Sequence, residues 1–120
     1  MKVLLDEGVP RTLTRLLSDH GIATSPFPNH WKGMTNGALL DAAQEAGFTV
    51  ILTNDKNVVH QQPVAEREVA LVVLPTNRLS VVIEMVDKIA TAIGGSKVGM
   101  TVIVQPRIGS SLTDRGGTDS

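Results

Sequence analysis

The sequence predicts an α/β fold, a three-layer α/β/α domain with a mostly parallel central sheet. Three observations predict it. Its short apolar runs are continuous rather than alternating, as in strands buried on both faces. Between them lie segments whose apolar residues repeat at helical spacing. The two kinds of segment alternate along the chain, which implies crossover connections, right-handed by the general rule. The 120 residues suit one domain.

Val3-Leu4-Leu5 is the first strand, stopped by Asp6. Gly8 turns the chain, and Pro10 suits the first turn of a helix, where its missing N–H costs nothing. Leu13, Leu16 and Leu17 fall on one face of that helix, and Gly21 ends it. Ile22-Ala23-Thr24 is a weaker second strand. Residues 25–34 hold two prolines, a glycine, Phe27 and Trp31, and read as a loop. Thr35 caps a second helix carrying Ala38, Leu39, Ala42, Ala43 and Ala46, with Gly47 as its C-terminal stop. Residues 49–53 form the clearest strand, ending at Asn54-Asp55. A short, weakly patterned helical segment begins at Lys56, and residues 69–74 are a further buried strand closed by Pro75. Asn77 is placed to cap a long helix with Leu79, Val82, Ile83, Val86, Ile89 and Ile93 on one stripe, ended by Gly94-Gly95. Residues 99–104 are the last strand. The domain is thus expected over residues 1–104, and residues 105–120, poor in apolar side chains, read as a flexible C-terminal tail.

Composition narrows the function classes. Hydrophobic residues make up 42% and charged residues 19%, enough aliphatic bulk for a real core. No apolar run approaches the ~18 residues of a membrane helix, and the N-terminus lacks the pattern of a signal or transit peptide. The absence of cysteine excludes a disulfide scaffold, a thiolate metal site and a cysteine nucleophile, and suits a reducing cytoplasm. A net charge of −1 gives no whole-chain basic footprint for duplex binding. Phe27, Trp31 and Phe48 are the only aromatics, two of them in one loop, so a base-stacking sheet platform is not expected. The histidines lack the H-E-x-x-H zinc spacing, no Gly-x-Ser-x-Gly elbow occurs, and Gly94-Gly95-Ser96-Lys97 follows a helix where a phosphate loop follows a strand.

In open parallel sheets functional groups collect at the carboxyl ends of the strands, where the strand order reverses. The first strand ends in Asp6-Glu7 and the third in Asn54-Asp55. If these strands are neighbours, about 4.8 Å apart, Asp6 and Asp55 converge at one rim. Two carboxylates so placed favour a cation, and oxygen ligands without cysteine point to Mg²⁺ or Mn²⁺. An Asp after a strand equally serves as a turn residue or helix cap. Glu7, next to Asp6 in an extended chain, points the other way. Trp31 is expected to seal the domain edge. The Val81, Val82 and Met85 side of the long helix offers surplus apolar surface, which points to a homodimer.

Leu5-Asp6-Glu7-Gly8-Val9-Pro10, with Leu13 and Leu16-Leu17, resembles the opening of the small bacterial PIN-like domains of unknown function, which begin with an LDEN-type motif. The resemblance continues through Trp31 to Leu40, Gly47-Phe48, the segment Ile51-Leu52-Thr53-Asn54-Asp55-Lys56-Asn57, His60-Gln61-Gln62 and Leu74-Pro75-Thr76-Asn77-Arg78, spanning roughly residues 2–93. It implies a PIN-like fold and a Mg²⁺- or Mn²⁺-dependent endoribonuclease, often the toxin of a toxin–antitoxin pair, with RNA as substrate and an antitoxin protein as partner. Asp6 matches the first metal-binding acid and Asp55 the acid of the T-x-D segment; Glu7 is a third candidate catalytic carboxylate. Gly8 stands where the pattern has Asn, Asn57 where a second Asp is common, and Asn36-Gly37 in a stretch often acidic. Those departures support an alternative, a degenerate PIN-like module that binds without cutting. A further alternative is a receiver-like phosphoacceptor domain. Asp6-Glu7, Asp55 and Thr76 fit its order, but Gln105 stands where its Lys belongs.

Overall fold

The structure, a computed structural model, describes residues 1–61 and 64–105. Apart from Gln105, the expected tail lies outside the described residues. Five strands, β1 (Val3–Leu5), β2 (Thr24–Ser25), β3 (Val50–Thr53), β4 (Ala70–Val73) and β5 (Thr101–Ile103), form one sheet in the order β2-β1-β3-β4-β5. Every neighbouring pair is parallel. The expected α/β architecture is therefore present, and β1 and β3 adjoin in register, Leu4 opposite Ile51 and Leu5 opposite Leu52.

Among the described residues the helices are α1 (Thr12–Asp19), α2 (Asn36–Glu45), α3 (Lys56–Gln61), α4 (Leu79–Glu84) and α5 (Val86–Gly95), with one 3₁₀ turn at Asn29–Trp31. Thr35 caps α2 as its sequence predicts, its hydroxyl accepting the Ala38 N–H at 3.2 Å. Gly47 follows with φ +89°, a left-handed stop that glycine adopts without steric cost. The expected Asn77 cap is not formed: Arg78 is the N-cap residue, without a side-chain cap, and the Thr76 hydroxyl accepts the Arg78 N–H at 3.1 Å in the turn before the helix begins at Leu79. The expected single long helix is broken at Met85, whose N–H bonds back to Val82 O at 3.1 Å in a tightened turn.

Two apolar layers sandwich the sheet. On one face Val3, Leu5, Val50, Leu52 and Val72 meet Leu13 and Leu17 of α1 and Val82, Met85, Ile89 and Ile93. On the other, Leu4, Ile51, Leu71 and Val73 meet Trp31, Leu39, Leu40, Ala43 and Val58. The stripe on α4 and α5 is thus Val82-Met85-Ile89-Ile93, while Leu79 and Ile83 stay 43% and 40% exposed. This corrects the expected dimer surface: Val82 and Met85 are buried in the core and Val81 packs against it.

The connections are not all of one hand. β1-α1-β2 steps toward one edge of the sheet, and the three later connections step toward the other. A crossover keeps its hand when the step reverses only if its helix changes face. α2 and α3 do change face, but α4 and α5 share the face of α1. The first three crossovers therefore share one hand and the last has the opposite hand, against the right-handed rule. Coverage explains the exception. Val50, Leu52, Ala70 and Val72 need more cover than the two buried leucines of α1 supply, and Val82, Met85, Ile89 and Ile93 supply it from the segment before β5. The outer face of β5 stays open in consequence, with Ile103 53% exposed.

No helix among the described residues is long and apolar enough to cross a membrane.

Candidate functional site

The sheet order reverses between β1 and β3, and the carboxyl ends of these two strands carry the candidate acids. The Asp6 N–H donates to Leu52 O at 2.9 Å, extending the β1–β3 ladder one residue beyond the strand and fixing Asp6 at the rim. Both oxygens of its carboxylate are engaged: Oδ1 accepts the Glu7 N–H at 2.8 Å, and Oδ2 accepts the Thr53 hydroxyl at 2.6 Å. Thr53 Oγ1 in turn accepts the Asp55 N–H at 3.0 Å. One hydroxyl, 0% exposed, therefore ties the two acidic loops together. Among the described residues Thr53 is the only buried polar side chain, and its location explains why it is tolerated: each role of its hydroxyl is satisfied.

Asp55 is both site residue and cap. Its Oδ1 accepts the Asn57 N–H at 2.9 Å in the first turn of α3, while its Oδ2 accepts no hydrogen bond from the described residues. Asn54 crosses to the opposite loop, its Nδ2 donating to Gly8 O at 2.8 Å. Asp6, Glu7, Asn54 and Asp55 line one pocket of about 410 Å³, whose wall also includes Phe27, Trp31, Met34, Asn36 and Leu39. That volume is within the ~300–1,000 Å³ typical of ligand sites. Trp31, 8% exposed, holds edge-to-face contacts with Phe27 and Phe48 at 6.3 Å, so its sealing role coincides with forming the pocket wall.

Glu7 differs from its expected placement. The chain is not extended there: the Val9 N–H returns to Asp6 O at 3.0 Å, a turn that leaves Glu7 exposed yet lining the same pocket as Asp6. Thr53 and Asn54 are site residues that sequence reasoning missed. The signal for Thr53 was a hydroxyl closing an otherwise apolar buried strand directly before Asn-Asp.

Gly8 is required here by close approach. A Cβ at this position would lie 2.7 Å from Asn54 Oδ1, inside contact distance. Gly8→Ala should therefore displace the Asn54 amide and cost about 1 kcal/mol through the lost hydrogen bond. A thermal melt would register roughly 4–8 °C. In an Asn54→Ala background the same change should be close to neutral, and equal losses in both backgrounds would contradict the contact.

Mg²⁺ is commonly held by one or two carboxylates with water completing its shell, and Asp6 and Asp55, which line one pocket, are the residues that would supply them. A two-metal centre does not fit: among the described residues no group of three or more His, Asp or Glu side chains is placed to hold a metal. Thr76 and Gln105, the further residues of a receiver-like arrangement, do not line this pocket. Comparison with protein-family models, with characterised proteins and with solved structures finds no match to this chain.

Proposed function

We propose that the chain is a PIN-like, Mg²⁺- or Mn²⁺-dependent endoribonuclease whose site is the Asp6–Asp55 pocket. The observation that carries this reading is the Asp6–Thr53–Asp55 linkage at one pocket: the Thr53 hydroxyl holds the Asp6 carboxylate and the Asp55 backbone N–H, and the Asn57 N–H holds the Asp55 carboxylate. Two carboxylates lining one pocket favour a cation, which would offset their mutual repulsion. A divalent ion held there would supply polarisation of a phosphodiester oxygen and a more acidic water. Asp6 and Asp55 would hold the ion, and the Thr53 hydroxyl orients Asp6. Glu7, exposed at the pocket and without a side-chain hydrogen bond among the described residues, accepts a proton from the attacking water. The setting this implies is the cytoplasm, with an antitoxin protein as partner.

A second reading is favoured by the limited donor set. With no group of three or more acids or histidines placed to hold a metal among the described residues, the domain binds RNA and metal without cutting. Incubation of single-stranded RNA with Mn²⁺ separates the two: cleavage lost in Asp55→Asn supports the nuclease, and metal binding without cleavage supports the binding module.

A further inference from the structure

A second cavity, of about 250 Å³, adjoins the carboxylate pocket and shares Asp6, Glu7 and Phe27 with it. Its remaining wall carries two cations from separate elements, Arg11 immediately before α1 and Lys32 immediately after the 3₁₀ turn. Both side chains are exposed, and neither has an ion pair or hydrogen bond among the described residues, although Asp6 and Glu7 line the same cavity. Asp6 and Glu7 balance Arg11 and Lys32 in formal charge across this cavity, and the two cations, without protein partners among the described residues, keep their donors available to an anion. The cavity is smaller than the ~300 Å³ lower bound of typical ligand pockets, so it suits part of a larger ligand whose remainder lies in the neighbouring pocket.

We propose that Arg11 and Lys32 form a phosphate subsite that takes the backbone phosphate next to the one meeting Asp6 and Asp55. The proposal rests on the reading of a single-stranded polynucleotide as the ligand. It adds the direction in which that strand runs: from the β1–β3 rim across Glu7 and Phe27 toward β2. Arg11 contributes a planar fork of donors and Lys32 a compact charge, a combination suited to a phosphate's several oxygens. Neither residue packs in the core, so the subsite can be altered without disturbing the fold.

The test uses the full chain and a fluorescein-labelled uridine dodecamer with phosphorothioate linkages, which slow hydrolysis, read by anisotropy in Mg²⁺ over a salt series. Arg11→Ala/Lys32→Ala should weaken binding about tenfold or more. Its plot of log affinity against log salt should be shallower by about 0.7–1.4, the loss of one or two phosphate contacts to a single strand. Arg11→Lys/Lys32→Arg should retain the slope. The Mn²⁺-induced rise in melting temperature should survive in the double alanine variant, because the metal carboxylates are intact. Unchanged affinity and slope in that variant, or no RNA binding by the wild type, overturns the subsite. If the wild type shows no Mn²⁺ shift but its RNA affinity still falls in the double variant, the subsite stands and the metal reading fails.

Discussion

Asp55→Asn should abolish both the stabilisation of the protein by Mg²⁺ or Mn²⁺ and the cleavage of RNA. In the wild type a cation at a hundred times its dissociation constant stabilises the native state by about 2.7 kcal/mol, since the unfolded chain has no such site. For a domain of this size that is a rise of roughly 10–20 °C in a thermal melt. The substitution removes one of two charged ligands and keeps the shape. Loss of a ligand should exceed the ~10–100-fold effect on affinity that changes outside the ligand shell produce. Without metal the variant should melt within about 0.5 kcal/mol of the wild type, or slightly higher. Asn retains the Oδ1 that accepts the Asn57 N–H, and one like charge is gone from the pocket. Asp6→Asn is a less clean probe, because both Asp6 oxygens accept hydrogen bonds and an amide nitrogen facing the Glu7 N–H would oppose donor to donor. A metal shift of full size in Asp55→Asn would place the ion elsewhere.

Thr53→Val should destabilise the fold by roughly 2–4 kcal/mol, as measured by urea unfolding. The valine is nearly isosteric, so packing against the sheet is kept and only the hydroxyl is lost. Two groups then lose their partner: the charged Oδ2 of Asp6, whose bond is the stronger kind, and the N–H of Asp55. Water reaches half-exposed Asp6 and recovers part of the loss, which places the expectation toward the lower end of that range. Thr53→Ser should keep both bonds and lose about 1 kcal/mol for the buried methyl. As a positioning residue Thr53 should also show in metal affinity, with valine weakening Mn²⁺ binding about 10–100-fold and serine much less. Equal metal affinity in the two variants would reduce Thr53 to a purely structural role.

The strand ends were legible in the sequence because a parallel strand buried on both faces has no polar alternation to confuse its limits. Leu5 to Asp6 and Thr53 to Asn54 are abrupt changes from apolar to polar, and both mark the rim of the sheet. The neighbouring of β1 and β3, on which convergence of Asp6 and Asp55 depends, was an assumption about strand order that the topology supplies. Thr53 was hidden because it is counted as part of its strand; only the three-dimensional meeting of its hydroxyl with Asp6, 47 residues away, gives it a role. Glu7 was misplaced because local alternation was applied where the chain had already turned.

The hand of the last crossover was illegible for a different reason. Hand depends on which sheet face still lacks cover when the chain arrives there, a property of the whole packing rather than of residues 74–101. The same packing decided the apolar stripe of α4 and α5. Val82 and Met85 are equally apolar whether they face a core or a second protein, and the uncovered face of β3 and β4 claims them.

The central claim, that one divalent cation is held between the ends of β1 and β3, is tested most directly by titrating Mn²⁺ into ¹⁵N-labelled protein and following each amide in proton–nitrogen spectra. Paramagnetic broadening should appear first at the amides of Asp6, Glu7, Asn54 and Asp55, spare the β5 edge, and reverse on addition of excess Mg²⁺. Broadening spread evenly over exposed acids such as Asp19, Asp41 and Glu84, with the β1–β3 rim affected no more than they are, would contradict it.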